Sequence, residues 1–288
     1  MKNKIAIASA FFAASSFSFA EIALTESLSV EGFIDTAYTD SSAKNASFDL
    51  NEVEISFLFE SGAVSAQVDT EYTTDAGSEL DQAFISYDVF GGTLSAGLMD
   101  SQLGFEAFEA PGLYTNSLAY GQDAQQPADE AVNFTMQLDE VSSLGVSLIN
   151  GTAGFIGDND DDNIIEVAYG RDLGNGFGVF VGTRSDEDGD DLVNAYVTYE
   201  TGAFTFAAEI IDEETADAYQ LFANYAYADN ASVTVRFTNE EDNGVDTDIL
   251  TLAHQLALAD NLCLTTEYTD NGDATDEHEF SVGLLFTF

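Results

Sequence analysis

The chain has 288 residues, of which 45% are hydrophobic and 12% aromatic, and its 53 acidic and 6 basic residues give a formal net charge of −47. So few lysines and arginines exclude nucleic acid as a partner, because phosphate neutralisation requires them. Such acidity accompanies either a disordered chain or an acidic solvated surface, and the hydrophobic content argues against disorder. The single Cys263 excludes an intramolecular disulfide, so stability has to come from the fold itself.

Residues 1–20 have the parts of a secretory signal peptide. Lys2 and Lys4 form a basic start, residues 5–12 form an apolar stretch, and a small-residue cleavage site closes the segment. The apolar stretch is too short to span a bilayer as a helix, and no run of about eighteen apolar residues follows it. We therefore expect a secreted mature chain, residues 21–288, which can enter a membrane only as a closed sheet.

Short segments of alternating apolar and polar residues recur along the mature chain. In the clearest one, Val64, Val68 and Tyr72 share one face, and Asp69 and Glu71 share the other. One face suits lipid and the other suits water. Such segments begin near residues 28, 48, 63, 81, 93, 130, 144, 163, 177, 191, 203, 217, 231, 247, 262 and 278. They predict an all-β fold, a transmembrane antiparallel up-and-down β-barrel of about sixteen strands.

The predicted connections alternate in length. Short ones at Ser61-Gly62, Gly91-Gly92 and Thr201-Gly202 take turns with longer polar ones at 151–162, 184–190, 211–216, 239–246 and 269–277. Outer-membrane barrels have short periplasmic turns and longer external loops. Aromatic residues at the strand ends are expected to form two girdles at the bilayer interfaces. The positions are Tyr38, Tyr72, Phe237 and Tyr268 at the loop end, and Phe59, Tyr87, Tyr169, Tyr199 and Tyr225 at the turn end.

Residues 100–128 form the longest connection. They show no alternation and contain both prolines, Pro111 and Pro127, which ladder interiors exclude. A long third external loop after the fifth predicted strand resembles that of the general porins, in which the loop folds into the lumen and narrows the pore. The resemblance implies that the acids of this loop lie at the constriction. They are Asp100, Glu106, Glu109, Asp123 and Asp129.

Strand residues on the polar parity are expected to line the lumen, and most of the charged ones are acidic. They include Glu52, Glu54, Asp69, Glu71, Glu166, Glu209 and Glu267, with Arg236 as the main basic exception. General porins oppose an arginine cluster to the loop carboxylates, and this chain lacks the arginines to build one. We expect a lumen that attracts cations and repels anions. For any single acid, solvation of the inner wall is favoured over a specific role in selectivity.

The last nine residues, 280–288, place Phe280, Phe286 and Phe288 on one apolar face. This segment resembles the terminal strand of Gram-negative outer-membrane β-barrels, whose final aromatic is part of the signal read by the barrel-insertion machinery. The resemblance implies an outer-membrane location, contact with lipid and lipopolysaccharide, and an insertion signal at Phe286 and Phe288.

A further resemblance is to the OmpL-like β-barrel porins. It depends on residues 80–87, 96–97 and 103–106, and on the Asn116-Ser117 pair with Tyr120. Leu118 stands where an arginine is expected. A porin resemblance implies small hydrophilic solutes as the transported class and a homotrimer as the assembly.

Two acid-rich segments offer closely spaced oxygens to a hard cation such as calcium. Their carboxylates are Asp158, Asp160, Asp162, Asp186, Asp188 and Asp190. Neither segment has the full spacing and distal glutamate of an EF-hand. Diffuse condensation of divalent ions on the outer surface is therefore favoured over a structured calcium site, and no cofactor is predicted.

An enzymatic barrel would need a histidine beside a nucleophile. Only His254 and His278 are present, and neither lies in a recognisable nucleophile motif. Together with Cys263 they cannot form a spaced cluster of metal ligands. Two hypotheses remain: a non-enzymatic porin for passive diffusion that favours cations, or a structural or adhesive outer-membrane barrel with a narrow or plugged lumen and acidic working loops.

Overall fold

The structure, a computed structural model, describes residues 21–43, 45–74, 77–106, 109–120, 129–150, 163–186, 191–213, 216–242, 245–272 and 277–288. A two-residue strand, β1 (Ile22–Ala23), precedes the long strands. The long strands among the described residues are β2 (Leu28–Ser41), β3 (Ser47–Ser61), β4 (Val64–Thr73), β5 (Gly77–Val89), β6 (Gly92–Met99), β7 (Asp129–Asp139), β8 (Ser142–Asn150), β9 (Asn163–Gly174), β10 (Phe177–Asp186), β11 (Leu192–Thr201), β12 (Phe204–Glu213), β13 (Ala216–Ala228), β14 (Ala231–Asp242), β15 (Val245–Ala259), β16 (Leu262–Asn271) and β17 (Glu277–Thr287).

The long strands close into a barrel. Each is antiparallel to the next along the chain, and β17 pairs with β2, so the described strands form the 16-strand up-and-down barrel that the alternation predicts. At the closing seam the backbones of Gly32 and Phe288 exchange two hydrogen bonds, of 2.8 and 2.9 Å. A Cβ atom on Gly32 would lie 2.9 Å from the Phe288 ring and closer still to the carbonyl oxygen of Glu54. The seam therefore requires a glycine at this position.

The predicted strand starts agree with the structure within four residues. The largest error is at β5, which begins at Gly77 rather than near residue 81. The loops predicted at 184–190, 211–216, 239–246 and 269–277 are wrong in extent, because the strands before them continue further. These strands end at Asp186 in β10, Glu213 in β12, Asp242 in β14 and Asn271 in β16. Backbone pairing does not depend on apolar side chains, so the ladder runs on through acidic positions such as Glu241 opposite Asp246.

The two faces of the sheet differ in polarity, as the alternation predicts. The apolar side chains are exposed and the polar side chains are buried, which is the reverse of a soluble protein. Large apolar side chains are exposed on one face, for example Ile85 at 62% and Leu221 at 55%. Polar side chains are buried on the other, for example Asn194 at 1% and Gln220 at 0%. An outward apolar surface of this kind suits hydrocarbon rather than water. Among the described residues no helix is both long enough and apolar enough to cross a bilayer.

The short turns lie where they are predicted. Gly62 and Gly202 have φ angles of 66° and 60°, in the left-handed region that favours glycine. Next to these turns, aromatic rings of the predicted turn-end girdle stack on neighbouring rings. The Tyr199 ring lies 4.2 Å from that of Phe177, and the Tyr225 ring lies 4.5 Å from that of Phe204.

Candidate functional site

The connection from β6 to β7 contacts the polar face of the barrel wall. It is described over residues 100–106 and 109–120 and contains a short 3₁₀ helix, Ala110–Gly112. Its first contact is with Glu166 of β9, whose side chain is inaccessible to solvent. The Glu166 carboxylate accepts hydrogen bonds from the Ser101 hydroxyl at 2.5 Å and from the Gln102 backbone N–H at 2.9 Å.

The second contact centres on Glu209 of β12, which is 2% exposed. Its carboxylate accepts a hydrogen bond from the Phe105 backbone N–H at 2.9 Å and one from the Tyr120 hydroxyl at 3.3 Å. From the wall, the Asn194 and Gln220 amides also donate to it, each at 2.7 Å. Glu209 thus joins both ends of the described loop to three adjacent strands.

The third contact is a buried ion pair. The Arg236 guanidinium of β14 lies 2.8 Å from the Glu106 carboxylate, and both side chains are 1% exposed. The same guanidinium donates to the Thr115 hydroxyl at 2.9 Å, to the Ser117 hydroxyl at 2.9 Å and to the Leu118 carbonyl at 2.8 Å. Burial raises the pKa of the Glu106 carboxyl, and the adjacent Arg236 guanidinium opposes that rise.

The fourth contact is made by Glu267 of β16. Its carboxylate accepts hydrogen bonds from the backbone N–H groups of Asn116 at 2.6 Å and Ser117 at 3.2 Å. The Asn116 amide also donates to the Ser281 hydroxyl of β17 at 2.9 Å. We call the four wall residues Glu166, Glu209, Arg236 and Glu267 the anchor set.

An aromatic cluster also joins the loop to the wall, and the sequence analysis missed it. The Phe105 ring lies 5.6 Å from that of Tyr196 and 5.4 Å from that of Phe222, and the Tyr114 ring lies 4.7 Å from that of Phe222. The signal was available, because Tyr196 and Phe222, together with Phe180 on the neighbouring strand, are aromatic residues on the polar parity. Such departures from alternation indicate a packed contact on that face.

Across the polar face from the anchor set lies a group of carboxylates, which we call the acid cluster. Ligand oxygens of Glu52, Glu54 and Glu109 lie within 4.8 Å of one another. The charges of Asp69 and Asp81 act on Glu54, and that of Asp81 also acts on Glu109. The charges of Asp81, Asp69 and Glu54 act in turn on Asp100. The acid cluster therefore consists of Glu52, Glu54, Asp69, Asp81, Asp100 and Glu109.

The two loop members of the acid cluster have strongly altered acidity. Burial, followed by the charges of Asp81, Asp69 and Glu54, raises the pKa of Asp100 to about 7. Burial, followed by the charges of Glu54 and Glu52, raises the pKa of Glu109 to about 11. Like charges crowded into a partly desolvated space disfavour the ionised form. Asp100 and Glu109 therefore hold their protons more tightly than free carboxyls do.

The described arginines all have partners elsewhere. Arg236 pairs with Glu106 at 2.8 Å, Arg184 with Asp129 at 3.1 Å and Arg171 with Asp139 at 3.6 Å. Lys44 lies outside the described residues. The acid cluster therefore has no arginine partner in the described part of the chain.

The predicted site residues divide among these groups. Of the five predicted constriction acids, the structure brings Asp100 and Glu109 into the acid cluster, places Glu106 and Asp129 in ion pairs, and leaves Asp123 outside the described residues. The predicted wall residues all lie on the polar face. Of the predicted calcium carboxylates, Asp186 ends β10, and Asp158, Asp160, Asp162, Asp188 and Asp190 lie outside the described residues. The functional roles of all these residues stay predictions.

Comparison with known proteins establishes the fold. No protein-family model and no curated protein sequence matches this chain. OmpF of Salmonella typhi in complex with daunomycin is 11% identical with a TM-score of 0.72, and the match covers 93% of this chain and 100% of that one. A mutant porin of Rh. blastica is 15% identical with a TM-score of 0.68, covering 91% and 100%.

OmpT, an outer membrane protein of Vibrio cholerae, is similar in its trimer form at 14% identity and a TM-score of 0.64, covering 91% and 99%. At such low identity these likenesses concern the fold, which is that of the outer-membrane porins. The resemblance to the OmpL-like porins finds no support in these comparisons and stays a prediction.

Proposed function

We propose that this chain is a porin of the Gram-negative outer membrane, a non-enzymatic channel for passive diffusion of small hydrophilic solutes and ions that favours cations. One observation carries the proposal: a closed 16-strand barrel has an acid cluster without an arginine partner, among its described residues, on its polar face. A barrel of this strand number has room inside for water as well as side chains. Carboxylates beside that water would raise the local concentration of cations.

The proposed permeation path lies between the loop and strands β2 to β6. On the side of the anchor set, the loop excludes solvent from the wall, since Glu166 and Thr251 are fully buried. On the opposite side, Glu52, Glu71 and Asp81 keep part of their surface exposed. In this proposal the loop crosses the lumen, is fixed to one wall by its hydrogen bonds and leaves the acidic wall open to ions.

The location and partners follow from the same proposal. The apolar face would contact outer-membrane lipid and lipopolysaccharide, and residues 1–20 would be removed as a signal peptide. The barrel-insertion machinery would read Phe286 and Phe288 on the final strand. The trimer form named for the Vibrio cholerae protein of similar fold supports a homotrimer.

The competing function is a structural or adhesive barrel. It is favoured by how densely the loop packs on the wall, where Gln220 and Thr198 have no exposed surface. In that case the lumen would be plugged and the external loops would carry the function.

Conductance separates the two functions. The mature chain should be refolded in detergent and added to a planar lipid bilayer to record current. In a second assay, liposomes that contain the protein should be placed in solutions of sugars of increasing size, and their swelling should be measured. A porin gives stepwise current and swelling with small sugars, while empty detergent micelles give neither. The absence of both steps and swelling for folded, heat-modifiable protein would refute the porin and favour the structural barrel.

A further inference from the structure

Two glycines on the polar face lie directly under the start of the loop. A Cβ atom on Gly145 of β8 would overlap the amide oxygen of Gln102 and lie 2.7 Å from its Cδ. A Cβ atom on Gly182 of β10 would overlap Cδ2 of Leu103. Both glycines pair with Ala168 of β9, one from each side, so three small residues form a row across adjacent strands. We call this row the first seat of the loop.

A third glycine lies under the later part of the loop. A Cβ atom on Gly283 of β17 would lie 2.7 Å from Oδ1 of Asn116 and 3.1 Å from its Cγ. Gly283 pairs with Ala37 on one side and with Thr265 on the other. We call Gly283 the second seat. At both seats the loop occupies space that the side chain of any other residue would fill.

The backbone gives no reason for glycine at these three positions. Gly145, Gly182 and Gly283 have no positive φ angle, and they lie within regular antiparallel pairing. Glycine weakens the interior of a strand, because it has no side chain to pack and loses more conformational freedom on folding. It often marks a position where another group approaches the backbone closely. Here that group is the loop.

The loop side chains above the seats are held in place by their other contacts. The Gln102 amide donates to the Ser147 hydroxyl at 2.9 Å, and Leu103 is only 7% exposed. The Asn116 amide donates to the Ser281 hydroxyl at 2.9 Å. Carbon atoms in contact are ordinarily about 3.5–4.0 Å apart, so an alanine at a seat would push the loop away from the wall by about 1 Å.

We propose that Gly145, Gly182 and Gly283 are positioning residues of the pore. They let the loop lie close to one wall, and so they set the width of the path along the opposite wall. Their effect on permeation rests on the proposed porin function, whereas their seating of the loop does not. A loop pushed off its seats moves into the lumen and narrows the path between the loop and strands β2 to β6.

The test compares single channels of Gly145→Ala and Gly170→Ala. Gly170 is a matched control, because it is a buried glycine of the same face on the adjacent strand β9, and its Cβ atom would meet nothing nearer than the Ser143 hydroxyl at 3.4 Å. Alanine suits a strand better than glycine, so both variants are expected to fold. Gly145→Ala should lower the conductance about twofold and exclude the larger sugars from liposomes, while Gly170→Ala should match the wild type.

A second variant shows whether the effect acts through the loop. The three heavy atoms nearest to a Cβ atom on Gly145 all belong to Gln102. In a chain that already carries Gln102→Ala, adding Gly145→Ala should therefore change the conductance no more than Gly170→Ala does. A fall in conductance that persists in this background would overturn the proposal. Equal conductance of folded, heat-modifiable Gly145→Ala and Gly170→Ala would also overturn it.

Hydrogen exchange separates this inference from the porin proposal. The backbone N–H groups of Gln102 and Phe105 donate to the buried carboxylates of Glu166 and Glu209, each at 2.9 Å. Lifting the loop breaks these bonds, so both amides should exchange at least about tenfold faster in the seat variant Gly145→Ala than in its control. Equal exchange in a conducting channel would refute the seats alone. Faster exchange in the seat variant, in a protein whose wild type never conducts, would refute the porin and support the seating of the loop.

Discussion

The carboxylates on the two sides of the polar face differ in how many hydrogen-bond donors surround them. In the anchor set, Glu209 accepts hydrogen bonds from two amides, a backbone N–H and a tyrosine hydroxyl, and Glu267 accepts from two backbone N–H groups. In the acid cluster, the oxygens of Glu52, Glu54 and Glu109 lie chiefly beside one another. The first side has its charge satisfied by the protein, and the second side has charge left over.

This contrast shows how an extremely acidic chain can hold a loop in one place. Backbone N–H groups and one buried arginine are enough to neutralise the anchor carboxylates, so fixing the loop requires few basic residues. Among the described residues no arginine is left to pair with the acid cluster, so in the proposed porin its cations would come from solution. In the proposed porin, fixing of the loop and attraction of ions would be divided between two walls of the barrel.

The largest expected effect comes from removing the charge at the centre of the anchor set. Arg236→Met leaves Glu106 buried without its partner and removes the donors to Thr115, Ser117 and Leu118. Breaking a buried pair on one side typically costs about 3–5 kcal/mol. We expect a lower urea midpoint of unfolding, measured by circular dichroism, and noisier channel currents because the loop is released.

Two variants control this prediction. Arg171→Met removes an exposed arginine on the rim and should leave the midpoint unchanged. The double variant Arg236→Met with Glu106→Leu removes both buried charges and should recover part of the lost stability. If Arg236→Met unfolds at the wild-type midpoint, the ion pair does not fix the loop.

A smaller loss of stability is expected at Glu209. Glu209→Leu leaves the Asn194 and Gln220 amides and the Phe105 N–H without their acceptor. An unsatisfied buried donor costs about 1–3 kcal/mol, partly offset by local rearrangement. The urea midpoint should fall by less than in Arg236→Met and by more than in the exposed control Glu60→Leu. Equal midpoints for Glu209→Leu and Glu60→Leu would contradict the anchoring role of Glu209.

The smallest effect is on selectivity and tests the acid side. Because the pKa of Asp100 is raised to about 7, its carboxyl is mostly neutral at about pH 6 and mostly ionised at about pH 8. Asp100→Asn should therefore lower the preference for potassium over chloride at the higher pH, by about twofold, and change little at the lower pH.

The same raised pKa predicts a stability effect. A carboxyl that holds its proton more tightly in the folded protein favours folding at low pH, and this contribution is lost as pH rises from about 4 to about 7. Asp100→Asn should flatten the fall in urea midpoint across that window.

The selectivity prediction has its own contradicting result. A selectivity difference between Asp100→Asn and wild type that is equal at about pH 6 and about pH 8 would show that Asp100 does not titrate between them.

Much of the fold could be predicted from the sequence because a lipid-facing strand has a simple physical signature. The alternation of Val64, Val68 and Tyr72 with Asp69 and Glu71 fixes both the strand and its faces. The loop bounds could not be predicted as well, since the backbone ladder of β14 continues through Glu241 and Asp242 without any apolar side chain.

The site was harder to predict because it depends on contacts between distant segments. The sequence indicates that Glu106 and Glu109 belong to one loop, but not that Glu106 meets Arg236 while Glu109 meets Glu52 and Glu54. That division depends on how the loop crosses from one wall to the other. The aromatic residues Tyr196 and Phe222, on the polar parity, were the one local sign of where the loop would pack.

The central claim is that unpaired carboxylates on one wall select cations, and the reversal potential of single channels tests it most directly. The refolded wild type should be measured at about pH 8 under a potassium chloride gradient. We predict a reversal potential shifted from zero towards the equilibrium potential of potassium, because Asp100 and the other carboxylates that are ionised at this pH concentrate cations. A reversal potential shifted towards the equilibrium potential of chloride would contradict the account.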